Sequence, residues 1–404
     1  MSTNLSAPDL PNVKAVTGPS VPIVPARNQI TVAMVMSKAE ASLGGTQKQA
    51  LRLANELQSL GVSVFLLTKR KSRRPARDRR EEWSDGVQIV RLPVTGLLPA
   101  WSFLFSLLIW ACINRRSFQI IHAHNAAMGV ISAIVAALTG KKVIVKIPSL
   151  KYVQYLTGRN VSGRLRRWIL TRKTDRFIAV STEMRRALLH AGIAREKLAL
   201  IANGIELTSQ CNTTEGAPRQ QIAGESHRPV VLFVGRLVKE KGLERLLTVW
   251  ASLPGHEQMT LMIVGDGPLK EGLECQTKNL RLLASVRFLG HQAEVAQFYS
   301  VADVFVLPSI TEGMSNALLE AMAAGLPVVA SNVGGNKDVI THQQSGFLVD
   351  WDDTRLCARV LMTLCSDREL RQRIGNSARR QIRAFAIGDI AERYHGLYRA
   401  VLQR

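Results

Sequence analysis

The chain has 404 residues, with 53 lysines and arginines against 31 aspartates and glutamates, and a formal net charge of +22. A hydrophobic fraction of 46% with 21% charged residues excludes a mostly disordered or collagen-like chain. The length asks for two to three domains, because single cores stop growing near about 250–300 residues. The charge is lopsided: residues 1–205 hold 31 basic and 10 acidic side chains, and residues 206–404 hold 22 and 21. Such an excess implies an anionic partner: nucleic acid, an anionic membrane surface or phosphorylated substrates. Its confinement to one half points to two modules with different partners.

Cys112, Cys211, Cys275, Cys357 and Cys365 are scattered, odd in number and without a CxxC pair. That argues against a disulfide framework or a zinc site and fits a reducing compartment, the cytoplasm. Met1 to Asn28 is rich in Pro, Ser and Val, lacks the basic and apolar regions of a signal peptide, and reads as a flexible tail. Leu97 to Ile113 is apolar apart from two serines. It sits at the bottom of the roughly 17–25 residues a spanning helix needs, and it contains Pro99. The first reading is a helix packed on a sheet. The second is a monotopic helix dipping into one leaflet, with Arg115 and Arg116 at the headgroups.

The predicted elements alternate. Ile30–Met36 is a buried-strand pattern, followed by a loop with Gly44 and Gly45 and a helical run from Thr46 to Leu60. Val62–Leu67, Val87–Leu92, Phe118–Ala123, Lys142–Ile147 and Arg176–Val180 are further strands, with a helix predicted over Ala126–Leu138. Glu206 to Arg228 is polar and reads as a linker. The pattern then restarts with strands at Val230–Val234, Leu261–Val264, Val286–Leu289, Val304–Leu307 and Val328–Ala330, and a helix over Gly242–Leu253. Strands alternating with helices imply parallel sheets. The chain is therefore expected to be α/β, with two Rossmann-like, doubly wound domains facing a central cleft, and ligands at the carboxyl ends of the strands. The final helical pattern, Ile390–Leu402, is free to pack on either domain.

The densest chemistry is the run from Pro308 to Met322, which follows a strand and opens a helix. Gly313 permits close backbone approach. Ser315 and Asn316 are good N-cap types, and the unpaired amides of a first turn form an anion site. Glu320, two turns inside the helix among alanines, suits a ribose diol; Glu312, before the helix, suits sugar hydroxyls. Gly235-Arg236 at a strand end, with Lys241 five residues on, can clamp two phosphates. His122 and His124 alternate on a strand and so point the same way. His122 reads as structural, and His124 gains functional weight from its place at the strand end. Asp350-Trp351-Asp352 reads as a turn cluster rather than a metal site.

Together these segments resemble the retaining family-4 glycosyltransferases, which have the GT-B fold. Glu312 to Glu320 matches that family's E-x7-E motif, and Gly235-Arg236 to Lys241-Gly242 resembles its GR-(x4)-KG segment. Gly44-Gly45-Thr46 matches its N-terminal glycine loop, and His122-Ala123-His124 its HxH strand end. Asn203-Gly204, Gly265 to Pro268, Gly325 to Ala330 and Gly334-Gly335 are similar to further segments in the same order. After the last pair Asp338 stands where the family often has a glutamate. The resemblance implies a tail over 1–28, an acceptor domain over 29–205, a linker over 206–228, a nucleotide-sugar domain over 229–385, and a C-terminal helix over 386–404 able to pack back on the first domain. It also implies roles. Arg236 and Lys241 would bind the pyrophosphate and offset leaving-group charge. Gly235, Gly313, Met314, Ser315 and Asn316 would line the donor phosphates. Glu320 would hold the ribose and Glu312 the donor sugar. Gly44 and Gly45 would face the phosphates from the other wall, and His124 would sit by the anomeric centre. No cofactor or metal is expected.

The expected reaction is retaining transfer of a hexose from a nucleotide sugar to a lipid-linked or glycan acceptor, with a UDP-sugar as first donor and GDP-mannose as second. A sugar-nucleotide epimerase of the same fold is the alternative. A nucleic-acid binder is disfavoured, since no helix-turn-helix, RNP-type or zinc-finger signature is present and only five tyrosines are available for stacking. A catalytically dead homologue is disfavoured because Arg236, Lys241, Glu312 and Glu320 are all retained. The basic excess lies in the acceptor half. It includes Lys69 to Arg74 with Arg77, Arg79 and Arg80, and a second basic loop expected over Arg164 to Arg176. That excess points to peripheral docking on an anionic, cytoplasmic membrane face.

Overall fold

The computed structural model describes residues 29–37, 45–70, 81–84, 87–95, 98–158, 161–207 and 228–403. The predicted tail, Gly44, the basic run from Lys71 to Arg80 and most of the predicted linker lie outside the described residues.

The chain forms two sheets. The first contains β1 (Thr31–Val35), β2 (Ser63–Lys69), β3 (Glu81–Ser84), β4 (Val87–Leu92), β5 (Ile120–Ala123), β6 (Lys142–Ile147), β7 (Arg176–Ala179) and β8 (Leu198–Leu200). Its order is β3-β4-β2-β1-β5-β6-β7-β8, parallel except for the β3–β4 pair. The second contains β9 (Val230–Val234), β10 (Thr260–Val264), β11 (Val286–Gly290), β12 (Val304–Leu307), β13 (Val328–Ser331) and β14 (Phe347–Val349), in the parallel order β11-β10-β9-β12-β13-β14. The central strands read as continuous apolar runs because helices cover both sheet faces and leave no polar side. The four residues of β3 carry no such run, so the hydrophobic pattern does not announce them.

Helices pack on the first sheet in two layers. One contains α1 (Gly45–Ser59); the other contains α2 (Pro99–Ile113), α3 (Ala126–Thr139), α4 (Leu150–Thr157), α5 (Val161–Lys173) and α6 (Thr182–His190). Asn125 caps α3 by accepting from the Met128 amide at 2.9 Å, and Gly140 ends it in the left-handed region at φ 71°. The expected basic loop over Arg164 to Arg176 is instead the helix α5 followed by the start of β7. Its apolar residues recur at helical spacing, and that periodicity outweighs the many arginines.

The second sheet carries α7 (Leu243–Ala251), α8 (Lys270–Asn279), α9 (Ala296–Val301), α10 (Asn316–Ala323), α11 (Asn336–Val339), α12 (Thr354–Ser366) and α13 (Arg368–Gln381). The last helix, α14 (Ile387–Leu402), returns to the first sheet. It buries Ile390, Tyr394 and Tyr398 together with Met34, Leu53 and Ile144. The chain thus crosses between the two units twice.

Candidate active site

Each sheet reverses its strand order once, and a doubly wound sheet opens a crevice at that point. In the second sheet the reversal lies between β9 and β12. β9 runs into Gly235 and Arg236, and β12 into the segment from Pro308 to Asn316, so both motif segments meet at one place. Lys241 Nζ lies 2.5 Å from Glu312 Oε2, and Ser309 Oγ donates to the same oxygen at 3.2 Å. The two side chains are only 20% and 13% exposed, so this pair is shielded from bulk water. Gly242, at φ 66°, makes the tight turn behind Lys241; a Cβ there would lie 2.1 Å from the Pro308 carbonyl oxygen. Arg236 is exposed on the cleft side. Burial raises the pKa of the Tyr152 phenol on α4, and the nearby Arg236 charge opposes that rise.

Ser315 is the N-cap of α10 and accepts from the Leu318 amide at 3.4 Å. Glu320, inside this helix, accepts from Tyr299 Oη at 3.1 Å and from Arg52 Nη1 at 3.2 Å. Tyr299 is buried, and both its burial and the adjacent Glu320 carboxylate hold its phenol far above the usual range. It therefore stays a donor that fixes Glu320.

The opposite wall is close. Asn316 Nδ2 donates to the Gly45 carbonyl at 2.7 Å, and Asn203 Nδ2 donates to Asn316 Oδ1 at 2.9 Å. Met314 is buried; its carbonyl accepts from Asn203 Nδ2 at 3.3 Å. A Cβ on Gly313 would lie 1.8 Å from the Pro148 carbonyl oxygen, so only glycine permits this approach. Gly235 packs against Gly265 in the same manner; a Cβ on Gly265 would lie 1.8 Å from the Gly235 oxygen. Farther along, Asp338 accepts from the Thr182 amide at 2.6 Å, at the N-terminus of α6. Glu183 accepts from the Gly334 amide at 3.0 Å and pairs with Lys337 at 2.9 Å. The shorter acid at 338 is thus engaged in an inter-domain cap.

His124 stands at the end of β5, beside the reversal between β1 and β5 in the first sheet. It is 1% exposed, and its ring stacks on His122 at 4.4 Å between centroids. Among the described residues neither of its ring nitrogens has a hydrogen-bond partner. Burial, with the Lys146 charge beside it, lowers its pKa to about 3, so its imidazole is neutral near pH 7. It is a group for hydrogen bonding rather than a proton donor of imidazolium type. His122 is tied to Tyr398 of α14 at 2.9 Å. Asp350 and Asp352 form a turn in which Asp350 accepts from the Asp352 amide at 3.0 Å.

Sequence reasoning found the residues of the second sheet's crevice and missed those that meet them: Arg52, Tyr152, Asn203 as a side chain, and Tyr299. One signal was available. Gln49 and Arg52 lie three apart, on one face of a helix, beside the apolar positions Ala50, Leu53 and Leu57. Gln49 is buried and exchanges hydrogen bonds with Gly204 at 2.6 and 3.2 Å.

Comparison with known proteins agrees with this geometry. The profile described as "Glycosyltransferase Family 4" matches residues 43–209, and the one described as "Glycosyl transferases group 1" matches residues 217–381. A D-inositol 3-phosphate glycosyltransferase of Corynebacterium urealyticum is 28% identical over 388 residues, covering 89% of this chain and 91% of that protein. The sulfoquinovosyl transferase SQD2 of Arabidopsis thaliana is 36% identical over 219 residues, covering 52% of this chain; the match spans 42% of that protein's length. The structure of Anabaena HepE in complex with UDP and glucose superposes with a TM-score of 0.76 at 19% identity, covering 92% of this chain and 100% of that one. The fold is GT-B. The chain belongs to the family-4 glycosyltransferases.

Proposed function

We propose that this protein is a retaining hexosyltransferase that uses a nucleotide sugar, with a UDP-sugar as first candidate and GDP-mannose as second. The acceptor is a lipid-linked saccharide or related glycoconjugate. One observation carries the reading: the strand reversal of the second sheet joins Lys241, Glu312 and Arg236 to the capped N-terminus of α10, with Glu320 inside that helix. The nucleotide diphosphate of HepE's complex supports a uridine donor.

Breaking the bond between the anomeric carbon and the phosphate oxygen puts negative charge on the leaving diphosphate. Arg236, Lys241 and the free amides at the start of α10 face that charge. They interact more strongly with the transition state than with the ground state, and this difference lowers the barrier. Two fixed cations supply here what a divalent ion supplies elsewhere, so the reading is metal-independent. Glu320, oriented by Tyr299, accepts from the two ribose hydroxyls. Glu312 is set by Lys241 and Ser309 and accepts from hydroxyls of the sugar. Neutral His124 can pair with a sugar hydroxyl. The acceptor oxygen bonds to the anomeric carbon on the face the phosphate leaves, and its proton passes to a phosphate oxygen, so configuration is retained and charge balances.

A panel of nucleotide sugars scored by thermal shift tests this reading, since a ligand of the native state raises its melting temperature. The expected result is a response to one nucleotide family that persists in EDTA and is reduced in Glu320→Ala. A panel without any response sinks the reading. Donor conversion without added acceptor would assign an epimerase instead. The basic half, lying on the acceptor side, supports a cytoplasmic enzyme working at an anionic membrane face.

A further inference from the structure

The outer surface of the N-terminal helical layer is apolar where a water-facing surface is normally polar. Helix α2 buries Phe103, Leu104, Leu107 and Ala111 against the sheet. Trp101, Phe105, Ile109 and Ile113 are 58–78% exposed. These four recur at every fourth residue. At about 100° per residue they fall on the side opposite the buried stripe. The helix has no charged residue between Pro99 and Ile113, so it has no polar face at all. An all-apolar helix is normally covered on every side; this one is covered on one.

The neighbouring helix continues the surface. On α5, Gly163 and Leu170 face inward, while Val161, Leu165 and Trp168 are 83%, 56% and 51% exposed. Arg164 and Arg172 share that outer side, and the Arg172 guanidinium lies 5.7 Å from the centre of the Trp168 ring. Helix α3 packs between α2 and α5 and exposes Leu138. The apolar side chains therefore belong to the outer face of one layer, and a patch of this extent marks an interaction site.

Charge selects the occupant. The half that carries the patch holds 31 basic and 10 acidic residues. A second copy of this chain would press like charge against like charge. Arg115 and Arg116 follow α2 directly and are exposed. An apolar face edged by arginines matches an anionic lipid leaflet, with hydrocarbon below and phosphates at the rim. α2 has 15 residues, which is about 22 Å of helix, and no described helix is long and apolar enough to cross a membrane. Lying flat is the geometry left to it.

We propose that the outer faces of α2 and α5 dock the protein in the plane of an anionic leaflet. Trp101, Phe105 and Ile109 enter the acyl boundary. Arg115, Arg116, Arg164 and Arg172 take the headgroup phosphates. This assignment rests on the reading of a membrane-facing acceptor domain and names its contact surface. None of the candidate site residues belongs to this face, so a lipid-linked acceptor would be delivered to an enzyme already oriented on its own membrane.

The test is flotation of the full chain with vesicles of phosphatidylcholine alone or mixed with phosphatidylglycerol. Binding is expected only with the anionic mixture and should weaken as salt rises. The Phe105→Ser, Ile109→Ser double variant should bind those vesicles about tenfold more weakly or worse. Arg164→Glu with Arg172→Glu should lose binding most at low salt. Both should keep the wild-type melting temperature and nucleotide-sugar response. Absence of wild-type binding to anionic vesicles overturns the docking surface, as does binding that survives the apolar double variant. Loss of a concentration-dependent dimer in that variant, with vesicle binding intact, also overturns it and assigns the face to a second copy. A nucleotide-sugar response without vesicle binding sinks only the docking. Vesicle binding without that response sinks the transferase reading instead.

Discussion

The two strand reversals of this molecule meet across one cleft, and they are built from opposite chemistry. At the second sheet's reversal the polar groups are partly exposed and arranged to receive a ligand: Arg236 on the rim, Lys241 on Glu312, and Glu320 on Tyr299. At the first sheet's reversal His122, His124 and Lys146 are buried under α14, at 0%, 1% and 3% exposure. Burial depresses all three pKa values. The half of the chain with almost no net charge therefore supplies Arg236 and Lys241, while from the strongly basic half Arg52 enters the cleft already paired with Glu320 and Glu206. Much of the basic excess instead lies on exposed helix and turn surfaces, such as Arg115, Arg116, Arg164 and Arg172. Net charge per domain locates a partner only after the buried and the exposed charges have been separated.

This contrast is broken most directly by acid. His124 has a folded pKa of about 3 against an ordinary 6.5. Its imidazole is neutral in the fold and takes a proton more readily in the unfolded chain. Stability is therefore fully present above pH 6.5 and falls as pH drops toward 3, at about 1.4 kcal/mol per unit for one such group. The loss is on the order of 5 kcal/mol for His124 alone, and His122 shifts in the same direction. Lys146 acts on the alkaline side. Its folded pKa of about 8 lies below 10.5, so stability rises as pH climbs through that interval, where only the unfolded chain keeps the proton. Chemical denaturation measured from pH 5 to 9 reads both slopes, and His124→Gln should flatten the acidic one. A stability flat between pH 7 and 5 would show that these histidines are hydrated.

The opposite reversal is broken at its cations. Arg236→Ala and Lys241→Ala should each lower turnover by roughly 100-fold at saturating donor, the usual loss when one preorganised charge is removed from a developing anion. Donor affinity should change less, because the leaving charge is fully formed only during bond breaking. Lys241→Ala also strands Glu312, which is 13% exposed, so its effect should be the larger of the two. A rate within twofold of wild type for Arg236→Ala would remove that side chain from the leaving-group role.

What was legible in the sequence follows the same division. Strands such as Val230–Val234 and Val304–Leu307 have the predicted limits, since a strand buried on both faces writes itself as an uninterrupted apolar run; Val87–Leu92 and Lys142–Ile147 keep theirs although Gln88, Arg91, Lys142 and Lys146 interrupt the apolar pattern. The crevice of the second sheet was legible because each half of it is one short segment following a strand: Gly235-Arg236 to Lys241-Gly242 after β9, and Glu312 to Glu320 after β12. The other wall was not. Arg52 and Tyr299 reach Glu320 from 268 and 21 residues away in the chain, and no local pattern encodes such a meeting. Helix α5 was hidden by its own arginines, which crowd the sequence around the two inward residues Gly163 and Leu170. In the apolar run at 97–113 the first reading holds: α2 packs on the sheet with one side, and its other side is exposed.

Two smaller effects sharpen the comparison at the point where the walls touch. Glu320→Ala should weaken nucleotide-sugar binding about tenfold, the value of a charged group's hydrogen bonds to a diol, and calorimetry reads it directly. Arg52→Ala should act on the same carboxylate in the other direction. Arg52 Nη1 lies 3.2 Å from Glu320 Oε1, and its Nε lies 3.6 Å from Glu206. A ribose that takes Glu320 must displace this contact, so Arg52 competes with the donor. The Arg52 and Glu320 side chains are each 22% exposed, which leaves water enough access to keep the pair below about 1 kcal/mol. Removing Arg52 should therefore tighten donor binding by no more than about fivefold. The gain should vanish in the Glu320→Ala background, because a double-mutant cycle registers only the coupling between the two. Weaker binding in Arg52→Ala alone would mean that the arginine contacts the donor instead of yielding to it.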